Sequence, residues 1–148
     1  MKAHGQHGVR DVLVLAYGFW AIAALSRALY QYLFRQPVVW MPTHLSAFVG
    51  LLYVLIMLAM RRHTPLAWLV SVVLLCIELG GVLIVGTLDV LWKPFPYATV
   101  WSGFGAGYLF VPLVLPILGL FWMTKRTTRE LYGYTARPVR QVSEHLTR

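Results

Sequence analysis

Four apolar stretches, each cut off by charge or proline, set the limits on what this chain can fold into. They cover about 12–34, 42–60, 65–88 and 101–123. An α-helix needs about 20 mostly apolar residues to cross the hydrocarbon core of a bilayer. The first stretch holds about 23 residues, or roughly 35 Å of helix, enough to cross with some tilt. Its interior carries one charge, Arg27. Asp11 stands where it favours the positive end of that helix. The second stretch has no charge and stops at Arg61-Arg62-His63. The third opens on Thr64-Pro65, an N-cap followed by proline at the first helical position, and contains only Glu78.

Charged residues make up 12% of the chain, against about 25% in an average soluble domain. That density cannot coat a soluble surface, and the mean hydropathy is +0.66. A soluble enzyme, a disordered tail and a nucleic-acid arm are therefore poor fits. The reading that remains is an all-α polytopic membrane bundle of four spans. Residues 1–124 form the transmembrane domain and 125–148 a basic cytosolic tail.

The net charge of +8 matters less than its placement. With four spans both termini share a side. That side carries Lys2, Arg10, Arg61, Arg62, Lys125, Arg126, Arg129, Arg137, Arg140 and Arg148, and the other only Arg35 and Lys93. The positive-inside bias puts both termini in the cytosol of a cell membrane, beside anionic headgroups. A cleaved signal peptide is not expected. Lys2 and Arg10 resemble its basic start and Ala21-Ile22-Ala23 its cleavage site, but the apolar stretch runs on to Phe34.

Between the third and fourth stretches, 89–97 read as the longest turn. Trp92, Phe95, Tyr97 and Trp101 suit an aromatic belt. Pro112 and Pro116 should kink the fourth span, and the SGFGAG run at 102–107 leaves a re-entrant start open. Gly80, Gly81, Gly86 and the GxxxG pair Gly103 and Gly107 read as helix-packing positions. After Pro138, the residues Val139, Val142 and Leu146 share one helical face, which fits either a surface helix or a frayed tail.

The runs PTHLSAFVGLLYVL, ELGGVLIVGTL and ATVWSGFGAGYLFVPLVLPILGLFWM, taken together, resemble a group of small uncharacterised actinobacterial integral membrane proteins with four spans. The similarity covers about 17–123, with WSGFGAGY followed by VPLVLPILGL as its most specific part. It implies four spans and a cell-membrane location. It implies no activity and no catalytic residue.

The intramembrane charges carry the strongest chemical signal. A charge at a helix centre costs roughly 2.5 to 3.5 kcal/mol on insertion scales, so it usually finds a partner. Arg27 lies about 22 Å along the first span and Glu78 about 20 Å along the third, and both spans run outward. An Arg27–Glu78 pair is expected, either purely structural or part of a ligand site or proton relay; the remaining alternative is Arg27 snorkelling alone to the outer headgroups. His44 stands at a similar height on the second span, and Tyr30 and Gln31 lie within a turn of Arg27. Ser71 and Gly81 share the Glu78 face. Cys76 reads as a packed, inert thiol, and a single cysteine excludes an internal disulfide. His4 and His7 are too isolated for a metal site. No motif points to a catalytic residue, a cofactor or nucleic acid.

Three functions fit. The first is a non-enzymatic subunit or scaffold that packs against other membrane proteins or itself. The second is a component of a small-solute or proton-coupled transporter or channel. The third is a lipid-active membrane enzyme built on Glu78 and His44.

Overall fold

A computed structural model of the chain describes residues 2–34, 40–93 and 98–134, with side chains from 8 in the first segment and 41 in the second. The described residues are helical and contain no strand. They form α1 (Lys2–Phe34), α2 (Trp40–Arg61), α3 (Pro65–Trp92), a 3-10 segment (Ser102–Tyr108), α4 (Val111–Thr124) and α5 (Arg126–Leu131). Three helices are long and apolar enough to cross a membrane, or four if the 3-10 segment and α4 count as one crossing. Their outward faces are apolar: Val12, Leu15, Phe19 and Ile22 on α1 are each more than 65% exposed. Such faces fit membrane insertion. The helix proposed after Pro138 lies outside the described residues, as do Arg35, Phe95, Tyr97 and the side chains of His4 and His7.

Small residues set the helix contacts. A Cβ on Gly50 of α2 would meet Leu25 Cγ of α1 at 2.6 Å. One on Gly119 of α4 would meet Leu75 of α3 at 2.9 Å. Gly81 and Gly86 on α3 lie under Trp101 and Phe104, so the 3-10 segment sits directly on the α3 backbone. The other glycines predicted for packing do not act this way. Gly80 and Gly107 have open space where a Cβ would be, and Gly103 has φ +54°, so Gly103 and Gly107 form no helical GxxxG face.

The fourth stretch is therefore not one kinked helix. The 3-10 segment and α4 meet at 99°. Phe104, Leu109 and Phe110 have φ of 59°, 55° and 58°, beside Gly103 and Gly105 at 54° and 81°. A run of left-handed residues cannot continue a right-handed helix. Pro112 adds to the break: it lacks the N–H an incoming helix would need, but suits the first turn of a new one. Its ring fills the place of a Cβ on Gly105. At the other boundary, α3 extends past 88 to Trp92 and closes on Lys93, whose N–H donates to the Asp89 carbonyl. The expected turn at 89–97 thus begins later.

Both ends of the described chain meet the α2–α3 turn. Thr64 caps α3 by accepting from the Ala67 N–H at 3.2 Å. Arg10 of α1 donates to the carboxylate of its neighbour Asp11 at 2.7 Å and to the His63 ring. From the other end, α5 turns the chain back, and the fully buried Tyr132 donates its hydroxyl proton to the Met60 carbonyl at 2.8 Å. Arg129 lies over the Trp68 ring, with Tyr134 edge-on to that ring. Trp68 in turn donates to the Met123 carbonyl. The start of the basic tail is docked against the bundle. Burial pushes the Tyr132 phenol up to about 12, while nearby Arg10 pulls the other way.

Candidate functional site: two interhelical polar clusters

Glu78 belongs to the stripe Ala67, Ser71, Leu75, Glu78, Val82 and Gly86, whose three- and four-residue spacing aims one face of α3 inward. It is completely buried. Its Oε2 accepts from the Tyr17 hydroxyl of α1 at 2.8 Å. Tyr53 of α2 stands edge-on to the Tyr17 ring, centroids 5.6 Å apart, and is the second tyrosine beside the carboxylate. Trp101, placed by the missing side chain of Gly81, closes the cluster from the approach to the 3-10 segment. Glu78 Oε1, Tyr53 Oη and Trp101 Nε1 are buried there with no hydrogen-bond partner.

Arg27 takes part in a different cluster. It donates to the Tyr108 hydroxyl at 2.8 Å and to the Ala98 carbonyl. Its guanidinium carbon lies 5.7 Å from the Tyr108 ring centroid, and Trp20 packs edge-on against the same ring. Gln31, one turn on and 8% exposed, is buried beside it on α1. The arginine ties α1 to the bent segment rather than to α3.

The expected Arg27–Glu78 pair does not form. The ion pairs among the described residues include Arg10–Asp11 and Arg126–Glu130, whereas Arg27 and Glu78 each bond to other groups. Rise per residue fixes height along each helix axis but neither tilt nor the direction in which a side chain leaves. Tyr17, ten positions before Arg27, is the α1 residue that faces Glu78. His44 is exposed on α2, whereas tyrosines surround the buried carboxylate. Tyr30 is exposed and stacks on Phe34. Cys76, expected to be packed, lies on an exposed face.

Tyr17, Tyr53 and Tyr108 stand beside the two charges, and the sequence alone does not single them out. Their signal was position: tyrosines favour membrane interfaces, and these sit within apolar stretches or beside the bend. Trp101, which suits an aromatic belt by residue type and position, is 3% exposed in the core.

Chemically, the Glu78 cluster is a closed core held by one hydrogen bond, Tyr17 to Glu78, with three buried polar atoms unpartnered. No group of three or more metal-ligating side chains occurs among the described residues. Two clefts lie at the end that carries the α2–α3 turn. One, of about 390 Å³, is lined by Arg10, Asp11, Val14, Leu15, Arg61 and His63. The other, of about 550 Å³, is an apolar groove between α1 and α4 with Lys125 at its rim. Neither cleft touches Glu78. No family model, curated protein or solved structure matches the chain.

Proposed function

We propose that the chain is a four-span protein of the cell membrane, with both termini cytosolic, and that it serves as a non-enzymatic subunit or scaffold in a membrane complex. The observation that carries this reading is the sealed core. Glu78, Tyr17, Tyr53 and Trp101 are each at most 3% exposed, which offers a substrate no approach. The surfaces available to a partner are the apolar faces of α1, α2, α3 and α4. An even number of crossings is supported by the meeting of Arg10 and Tyr132 at the α2–α3 turn. α4 alone is about 21 Å long and the 3-10 segment meets it at 99°, so the fourth crossing is broken and shorter than a hydrocarbon core of about 30 Å.

Gentle extraction tests the proposal. A companion membrane chain, or a second copy, should co-purify in fixed stoichiometry and be lost when Phe19 and Ile22 on the outer face of α1 are replaced by alanine. A monomer without companions that moves solutes across vesicle membranes would contradict it. That outcome is the second reading, a transporter component, favoured by the broken fourth crossing, because discontinuous helices are a recurrent feature of transporter sites.

A further inference from the structure

Among the described residues Arg27 has no carboxylate within ion-pair distance. The chain holds five carboxylates. Asp11 pairs with Arg10 and Glu130 with Arg126. Glu78 accepts from Tyr17. Asp89, at the same end of the bundle as Arg27, lies beyond ion-pair distance. Glu144 belongs to the tail that follows α5. The two groups that accept from Arg27, the Tyr108 hydroxyl and the Ala98 carbonyl, are neutral. A guanidinium half-removed from water calls for an anion, because buried charges are normally paired.

The surroundings are suited to one. Tyr108 accepts from Arg27, which leaves its own hydroxyl proton to donate. Gln31 is more than nine-tenths buried one turn away, and its Oε1 has no partner. Rotating that amide by half a turn presents its N–H₂ instead. Guanidinium forks match phosphate oxygens in both charge and geometry. Tyr30 and Tyr32 on α1 and Trp92 on α3 are each more than half exposed at this end of the bundle, as residues at headgroup level are.

We infer that Arg27, Tyr108 and Gln31 form a phosphate-binding site that takes the headgroup of a membrane phospholipid at the end of the bundle opposite the α2–α3 turn. The inference rests on the membrane reading above. Phosphate supplies the missing negative charge and accepts from all three side chains. It also locks α1 to the bent segment, since Arg27 and Tyr108 stand on either side.

The test uses the full chain in a non-ionic maltoside detergent, with native mass spectrometry and thermal unfolding as readouts. Phosphatidylglycerol should bind saturably and raise the unfolding temperature, whereas a digalactosyl lipid with the same acyl chains should not. Arg27→Gln should weaken phosphatidylglycerol binding about tenfold or more, as expected for loss of charged hydrogen bonds. Arg27→Lys should recover part of it. Gly80→Ala, whose methyl meets nothing within 4 Å, should bind as the parent does. Tyr108→Phe keeps the ring and removes only the hydroxyl, so it carries the comparison if Arg27→Gln does not fold. Stabilisation by inorganic phosphate that depends on Arg27 would assign the site to a free anion rather than a lipid. Equal binding by parent, Arg27→Gln and Tyr108→Phe, or equal stabilisation by the phosphate-free lipid, would overturn the site. A chain that remains monodisperse without detergent would instead overturn the membrane reading, a separate failure.

Discussion

Tyr17 and Glu78 join α1 to α3 through a 2.8 Å hydrogen bond between a phenol and a carboxylate, both wholly removed from solvent. The bond takes the place of the ion pair that charge alone would favour, and it leaves Glu78 and Arg27 in separate environments. Tyr17→Phe should destabilise the bundle by about 1 to 3 kcal/mol, the cost of leaving a buried acceptor unsatisfied. Glu78→Gln should be milder, since an amide oxygen still accepts from Tyr17. Unfolding in a detergent–denaturant series checks the order of the two.

Independence of the two clusters is measurable as well. Arg27→Leu and Glu78→Leu share no partner, so their effects should add to within about 0.5 kcal/mol in the double variant. A strong rescue of one by the other would mean that the two side chains interact.

The glycines separate into those that touch something and those that do not. Gly81→Ala would drive its methyl into the Trp101 ring, and Gly86→Ala would meet the Phe104 backbone nitrogen at 2.8 Å. Both should lower the yield of folded protein. Gly80→Ala meets nothing within 4 Å and should be neutral or stabilising by up to about 1 kcal/mol. Thermal unfolding of the three single variants decides it.

The bend stores backbone strain. Leu109 is 86% exposed with φ 55°, so its side chain has little packing to lose. Leu109→Gly should stabilise the fold by about 1 kcal/mol by removing the left-handed penalty, and Leu109→Ala should not. If both variants behave alike, the left-handed turn is not what strains the segment.

Tyr132 provides the pH dependence. Burial pushes its phenol up from the ordinary value of 10.0 to about 12. Docking of the segment after α5 is therefore fully supported below pH 10, and that support is lost as the pH rises through about 12. Proteolysis near Gly133 should quicken across that window. Tyr132→Phe should abolish the alkaline step and cost about 0.5 to 1.5 kcal/mol at neutral pH.

What could be read from the sequence was what depends on neighbours along the chain. The length of each apolar run gives the long helices, and Thr64-Pro65 marks the start of α3 to the residue. What depends on contacts between helices could not be read. Phe104 and Leu109 show no sign of a left-handed backbone, because that conformation is imposed by seating the bend on Gly86 and Pro112. Arg27 and Glu78 announced themselves as costly charges, but their partners depend on helix tilt and side-chain direction. Tyrosines are common enough in such chains that Tyr17 and Tyr108 attracted no notice.

Four crossings, as proposed, put the α2–α3 turn and the start of the tail on one side of the membrane. Single cysteines placed in a background lacking Cys76 test it with a membrane-impermeant thiol reagent applied to intact cells. Lys93→Cys should be labelled from outside, while Arg62→Cys and Thr127→Cys should react only after the membrane is opened. Labelling of Thr127→Cys from outside, with Arg62→Cys protected, would mean an odd number of crossings and contradict the account.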